Sequence, residues 1–295
     1  MTHNVESEHF GSTVEVPVDR SHLQPLTMKP SLSQYLQDLW SRRYFILADA
    51  KGKSFRTTRD YTLWRLWLLI EPLTSIVVFA FVFGFVLKTS RGIESFLSFL
   101  TIGTIFFGFL TSLVSSGVNL IQVNRNLIAS FNFPRAAVVV SHTVRYFLDH
   151  LIPAGVAIVA ALLLRDTIGV SWTILLVVPI YILMHMFGLG FMFIVARLSA
   201  FHPETKVFVS LFTQAWFFVS GVFFSVERFV DNPGVQKVMV NNPGYQFLQA
   251  VRDCVVYDRI PSLQTWGVLL GWSIGLCLVG LIFFWLAEDK YASID

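Results

Sequence analysis

Residues 172–198 read WTILLVVPIYILMHMFGLGFMFIVARL, and no charged side chain interrupts them before Arg197. An apolar run of that length has one economical home. About 20 such residues coiled as a helix cross a hydrocarbon core roughly 30 Å thick. Lipid offers the backbone no hydrogen bonds, so the helix must satisfy its own. The rest of the chain repeats the pattern: of 295 residues 54% are apolar and 14% charged, and the mean hydropathy is +0.62. A soluble domain averages nearer a quarter charged. The sequence therefore predicts an all-α membrane protein that crosses the bilayer six times, at about 66–87, 96–118, 136–164, 172–198, 207–226 and 263–287. The third stretch is longer than a bilayer needs and is expected to tilt or bend.

The segments outside these runs are informative by their charge. Residues 1–30 are polar and slightly acidic, without the apolar stretch and cleavage-like site of a secretory signal, and read as a disordered cytoplasmic tail. Over residues 31–65, Leu32, Tyr35, Leu36, Leu39, Trp40, Ile46 and Leu47 form an apolar stripe, with Gln37, Asp38, Arg42 and Arg43 off it. That pattern predicts an amphipathic helix lying at the membrane interface, followed by a basic flank of Lys51, Lys53, Arg56, Arg59 and Arg65. Gly52-Lys53-Ser54 imitates the end of a phosphate loop. The loop needs a glycine five residues before Gly52, and Leu47 stands there, so the chain is not expected to bind or hydrolyse a nucleotide. The inner segments carry about twice as many Lys and Arg as the outer ones, which puts both termini, including the short tail 288–295, in the cytoplasm of a cell whose plasma membrane the chain spans. Cys254 and Cys277 predict neither a disulfide framework nor a metal site, and a formal charge of +3 gives no pull toward nucleic acid.

Several segments are candidates for function. Residues 119–135, NLIQVNRNLIASFNFPR, are amphipathic: Leu120, Val123, Leu127, Ile128 and Phe131 lie near one side, and Asn124, Arg125 and Asn126 interrupt them. The helix should stop at Phe133-Pro134, because proline disfavours helix in the residue before it. Such a segment is either an unpartnered interfacial helix or one offered to a cytoplasmic partner. On the fifth run Phe208, Phe212 and Trp216 recur every four positions, with Phe223 beyond them. They are either packing and lipid-facing aromatics or a surface along which a sugar polymer slides. Arg145 and Asp149, four apart, can pair on one helix face. Intramembrane charges are costly, so they are either a structural ion pair or a contact to a lipid diphosphate. Glu71 could pair with Arg65 or line an inner mouth. His185 is expected to be a hydrogen-bonded packing residue, and Gly188 and Gly190 to permit close helix contact. Residues 227–263 are too charged to span, and Asn-Pro-Gly at 232–234 and 242–244 should each break a helix, leaving short helices near 235–240 and 245–256.

A set of short motifs follows in order through residues 60–290: WLLIEPL (67–73), Val82-Phe83-Gly84, Asn126-Leu127-Ile128, FNFPR (131–135), Gly188-Leu189-Gly190, Ser220-Gly221-Val222, Asn242-Pro243 with Arg252, and the closing FWLAED (284–289). The set resembles the permeases of ABC-2 type polysaccharide exporters, which move O-antigen, teichoic acid, capsule or cell-wall galactan. Glu71 departs from the pattern, which often has a neutral residue there. The resemblance implies a homodimer partnered by two copies of a separate cytoplasmic ABC ATPase, which would bind ATP and Mg while this chain binds no cofactor. It implies a cargo of polysaccharide on a polyprenyl diphosphate within the membrane lipids. It also gives 119–135 the coupling role, through Asn124, Arg125, Asn126, Leu127, Phe131, Phe133, Pro134 and Arg135, and makes 227–263 an outer gate that dips back into the membrane. KTSRG (88–92) and SGVFFSVERF (220–229) look most like galactan permeases. The alternatives are an ABC-2 exporter of a drug or small lipid, and a membrane-embedded polyprenyl-glycan transferase, which should cluster acids or histidines at one membrane face.

Overall fold

The computed structural model describes residues 31–54, 64–86, 92–130, 133–166, 169–226 and 232–293. Among them the chain is helical, with no strand. Helices α1 (Leu32–Ser41) and α2 (Arg43–Lys53) precede α3 (Trp64–Phe79), which runs into a π-helical turn at Ala80–Val86. Next come α4 (Phe96–Ser115), the short α5 (Leu120–Val123) and α6 (Arg125–Ser130), then α7 (Ala136–Asp149) and α8 (Leu151–Leu164). A 3-10 turn at Trp172–Leu176 opens α9 (Val177–Phe201), and α10 (Thr205–Val219) follows. Helices α11 (Pro233–Val240), α12 (Pro243–Val255) and α13 (Leu263–Trp285) lead to a final 3-10 turn, Glu288–Ser293.

Among the described residues four helices are long and apolar enough to cross a membrane: α4, the composite α7–α8 over Ala136–Leu164, Trp172–Phe201, and α13. Shorter apolar helices, Pro72–Phe83 and Thr205–Val219, stand where the first and fifth runs were expected. The 15 residues of α10 reach about 22 Å at 1.5 Å per residue. Its apolar continuation is not helix: the chain turns at Ser220-Gly221, with Gly221 at φ +59°. The third run, expected to tilt or bend, is interrupted at His150 between α7 and α8. Pro153 explains it, since a proline has no N–H for the carbonyl of Asp149 and crowds it. Pro179 stands in the same relation to Leu175, inside the 3-10 opening of α9.

Elsewhere the local structure corrects the expectation. The interfacial helix is two helices that meet at Arg42, and α2 runs on through Lys51 to Lys53. Residues 55–63, with Arg56 and Arg59, lie outside the described residues. The two Asn-Pro-Gly triplets start helices: Asn232 and Asn242 are N-caps whose side chains accept backbone N–H bonds, with proline at the first helical position. Proline is tolerated there because that N–H would be unpaired anyway.

Helix α4 is the axis of the bundle, uncharged and apolar over most of its surface, packed against α8, α9, α10 and α12. A helix this apolar belongs in a core or a bilayer. The tightest pairing is α9 on α13, where Gly190 and Gly280 let the backbones touch: a Cβ on Gly190 would lie 2.5 Å from the Leu276 carbonyl, and one on Gly280 would overlap the Gly190 carbonyl. Gly188 abuts Leu113 in the same way. A second core gathers Tyr35, Ile46, Ile128, Phe133, Phe284 and Tyr291, joining α1–α2, the α5–α6 segment and the C-terminal turn at one end of the bundle.

Candidate functional site

At that end three distant parts of the chain converge on one carboxylate. Tyr35 O–H donates to Glu288 Oε2 at 2.7 Å, Arg135 N–H donates to Glu288 Oε1 at 2.9 Å, and the Arg135 guanidinium lies 3.3 Å from the same oxygen. The Tyr35 hydroxyl in turn accepts from the N–H of Ala136 at 3.1 Å, the first residue of α7. Burial pushes the Glu288 carboxyl up, and the Arg135 and Tyr35 bonds hold it down. Each buried polar group left unpaired would cost about 1–3 kcal/mol, so these parts are held as one unit.

The segment before Arg135 is the tip of that unit. It is not one helix: α5 and α6 are separated at Asn124, which is buried, donates from Nδ2 to the Leu120 carbonyl at 2.8 Å and accepts from Lys53 Nζ at 3.4 Å. The break changes the helical phase. Val123 turns out to solvent, Ile128 turns in, and Leu127 is half-buried. Arg125 and Asn126 are exposed, while Phe133 and Pro134 are buried. Phe131 lies outside the described residues, and so does the Glu71 side chain.

Helix α2 lies along α7 through polar side chains. Asp49 pairs with Lys53 at 2.9 Å and accepts from Ser141 at 2.5 Å. Arg145 Nε sits 3.2 Å from Asp149 Oδ2 along one helix face, and Ser54 donates to Asp149 Oδ1 at 2.6 Å. The charges of α7 thus mark where α2 docks. Along the outer edge of α1–α2 Leu36, Trp40, Tyr44 and Leu47 are all exposed, with the Arg43 guanidinium over the Trp40 and Tyr44 rings.

A groove of about 600 Å³ runs between α4 and α10. From α4 it takes Thr104, Phe107, Gly108, Thr111, Ser112 and Ser115, and from α10 Ser210, Thr213, Gln214, Phe217 and Phe218. None of these lining residues is charged. Thr104, Thr111 and Thr213 donate their protons to carbonyls of their own helices at 2.9–3.3 Å. Their hydroxyl oxygens therefore present acceptors to the groove, flanked by aromatic faces. Ser112 connects the groove to the interior: its Oγ is 3.1 Å from His150 Nε2, His150 Nδ1 is 3.1 Å from His185 Nε2, and His185 Nδ1 is 2.9 Å from the Tyr181 carbonyl. A carbonyl only accepts, so His185 carries its proton on Nδ1.

The aromatic positions Phe208, Phe212 and Trp216 occupy a different face of α10. Phe208 is exposed, Phe212 is partly covered by Phe191, and Trp216 is buried among Phe107, Phe187 and Phe191. Phe223, past the turn, packs on Phe83 and Phe217. Trp216 Nε1–H donates to Asn242 Oδ1 at 2.8 Å, and Asn242 Nδ2 donates to Ser220 Oγ at 2.9 Å. Trp216→Phe should therefore lower stability by about 0.5–1.5 kcal/mol through the lost bond alone, because Asn242 Oδ1 still accepts the Gly244 N–H at 3.0 Å. Thermal unfolding of the solubilised chain measures this, and an unchanged midpoint would remove the bond from the account.

At the opposite end α12 is fastened by Arg252, which is fully buried. Its Nε donates to the Phe99 carbonyl at 3.2 Å, Nη1 to Gly221 at 3.2 Å and Nη2 to Val222 at 3.1 Å, with the guanidinium carbon 3.4 Å from the Phe99 ring centre. Gly103 makes room: a Cβ there would overlap Nη2.

Three features were missed from sequence: the hydroxyl face of α4, the Glu288 junction and the Ser112–His150–His185 chain. Only the first left a signal, in small or polar residues at 104, 108, 111, 112 and 115, about one per turn on one side.

Two comparisons bear on the site. A family model described as ABC-2 type transporter matches residues 45–256. The O-antigen export system permease protein RfbA of Myxococcus xanthus is 18% identical over 258 residues, covering 88% of this chain and 95% of that protein.

Proposed function

The chain belongs to the ABC-2 type transporter family, and from that premise we propose that it is the membrane-spanning permease of an ATP-driven exporter of a polyprenyl-diphosphate-linked polysaccharide. The observation that carries this reading is the uncharged groove between α4 and α10, with hydroxyl oxygens and aromatic faces on its walls. Sugar hydroxyls donate to such acceptors, and the apolar faces of sugar rings lie on aromatics. Many equal weak contacts suit a polymer that must slide. The similarity to an O-antigen export permease supports the same cargo class, and cell-wall galactan is the specific cargo we favour.

In this reading two copies face each other, α3 and α10 complete six spans per copy, and α11–α12 re-enter the membrane as an outer gate. The exposed Phe208 and Phe212 face the second copy or the cargo. Both termini lie in the cytoplasm of a bacterial cell. Two copies of a separate ATPase bind ATP and Mg and push on Arg125 and Asn126. The junction at Glu288 carries that push to α1, α7 and the C-terminal turn.

Reconstitution of the chain with its ATPase tests the proposal. The permease alone should turn over no ATP, and the complex should be stimulated by lipid-linked glycan. Turnover by the isolated chain would refute the reading. Stimulation by small amphipaths with none by lipid-linked glycan would turn it into a drug or small-lipid exporter.

A further inference from the structure

A second pocket, of about 290 Å³, lies where the last turn of α9 meets the end of α13 and the C-terminal 3-10 turn. Three of its walls are basic, Arg197, His202 and Lys290; the others, Leu198, Phe201, Phe283 and Ala287, are apolar. We propose that this pocket binds the phosphate headgroup of an anionic phospholipid from the membrane leaflet on the α1–α2 side.

The argument begins with Arg197. Its Nη1 donates to the Phe283 carbonyl and its guanidinium carbon lies 4.0 Å from the Phe283 ring centre. Among the described residues it has no carboxylate within ion-pair distance. A cation one turn inside the end of a span is costly unless something anionic or wet meets it. Four N–H groups of the fork remain, in the planar arrangement that matches phosphate oxygens. His202 and Lys290 add donors from two other segments, and among the described residues that line the pocket none is a carboxylate.

Depth and surroundings fit a lipid. The pocket sits at the ends of two spans, Trp172–Phe201 and Leu263–Trp285, the level at which lipid phosphates lie. Leu198, Phe201, Ile282 and Leu286 are exposed beside it and offer an apolar wall to acyl chains. Phe201 stacks on Tyr291, which belongs to the core that also holds Tyr35 of α1. The pocket is therefore on the same side as the exposed Trp40 and Tyr44 of the interfacial pair. Basic pockets between spans at this level suit anionic headgroups. It shares no lining residue with the α4–α10 groove, so it is a separate site from the one proposed for cargo.

Native mass spectrometry and thermal unfolding of the full chain test this with phosphatidylglycerol against phosphatidylcholine. Phosphatidylglycerol should be retained preferentially and should raise the melting midpoint. Lys290→Gln leaves the Arg197–Phe283 contact in place and should weaken phosphatidylglycerol binding about fivefold, the worth of one basic residue at an anionic surface. Adding Arg197→Gln should abolish the preference, and Arg197→Lys should keep part of it. Equal retention of the two lipids by the unsubstituted chain, or unchanged phosphatidylglycerol binding in Lys290→Gln, would overturn the proposal. Displacement by an equal concentration of polyprenyl phosphate, or by inorganic phosphate alone, would overturn the phospholipid as occupant.

Discussion

Arg252→Met should leave little folded protein in the membrane, a loss of about 3–5 kcal/mol from orphaned carbonyls and poorer filling of the site. The Phe99 carbonyl sits inside α4 and keeps its helical partner. The Gly221 and Val222 carbonyls do not: they lie in the turn after α10, and among the described residues only Arg252 donates to them. Methionine fills much of the same volume and offers neither bond. Arg252→Lys should rescue little, because a single ammonium cannot fork to three acceptors around Gly103. The measurement is yield and melting midpoint of the solubilised chain. A folded Arg252→Met protein with an unchanged midpoint would mean that the turn holds itself, and that α12 is docked by Phe247, Leu248 and Val251 alone.

The same turn shows why the sequence was legible only in part. Spans without charge were plain, because a long apolar run in a chain this poor in charge has few other homes, and α4, α9 and α13 lie where the runs are. After Val219 the run continues through Val222 to Val226, but hydropathy reports burial and not helix. These residues are buried or half-buried beyond a turn whose Gly221 and Val222 carbonyls Arg252 satisfies, and that arginine is 30 residues away from Val222 along the chain. The Glu288 junction failed to show for the same reason. A glutamate next to Asp289 and Lys290 reads as a charged tail, and nothing local says that its carboxylate is buried against Arg135, 153 residues earlier. Asn124 misled in the other direction: an asparagine between apolar residues looks like a solvent-facing interruption, yet it turns inward and ends α5. The i, i+4 pair Arg145–Asp149 was readable because both partners sit on one helix. Its role in docking α2 was not, since Ser54 and Asp49 reach α7 only through the tertiary fold. On α10 the aromatic spacing of Phe208, Phe212 and Trp216 is the louder pattern, but the groove uses the neighbouring face, where the signal is a serine, a threonine and a glutamine.

Gly108→Trp should abolish export without harming the fold. Gly108 is an exposed glycine in the middle of α4, on the wall of the groove, and a Cβ placed there meets no atom within 4 Å. The substitution therefore adds bulk to the groove and not to the core. Helix stability should not suffer, because glycine inside a helix is about 0.5–1 kcal/mol worse than alanine and most residues improve on it. If the groove is the sugar path, an indole projecting between Thr104, Thr111 and Gln214 narrows it for every residue of the polymer. A barrier raised by only about 1.4 kcal/mol already slows transport about tenfold, and blocking a repeated sliding step should exceed that. Gly108→Ala is the control: it gains the same helical propensity, adds one methyl group and should leave export near normal. The quantity to measure is surface glycan per folded complex, with the melting midpoint and oligomeric state of each variant determined in parallel. A tryptophan variant that is folded, assembled and exports normally would take the path away from the α4–α10 groove. One that folds but no longer pairs with a second copy would instead make the groove wall part of the interface between copies.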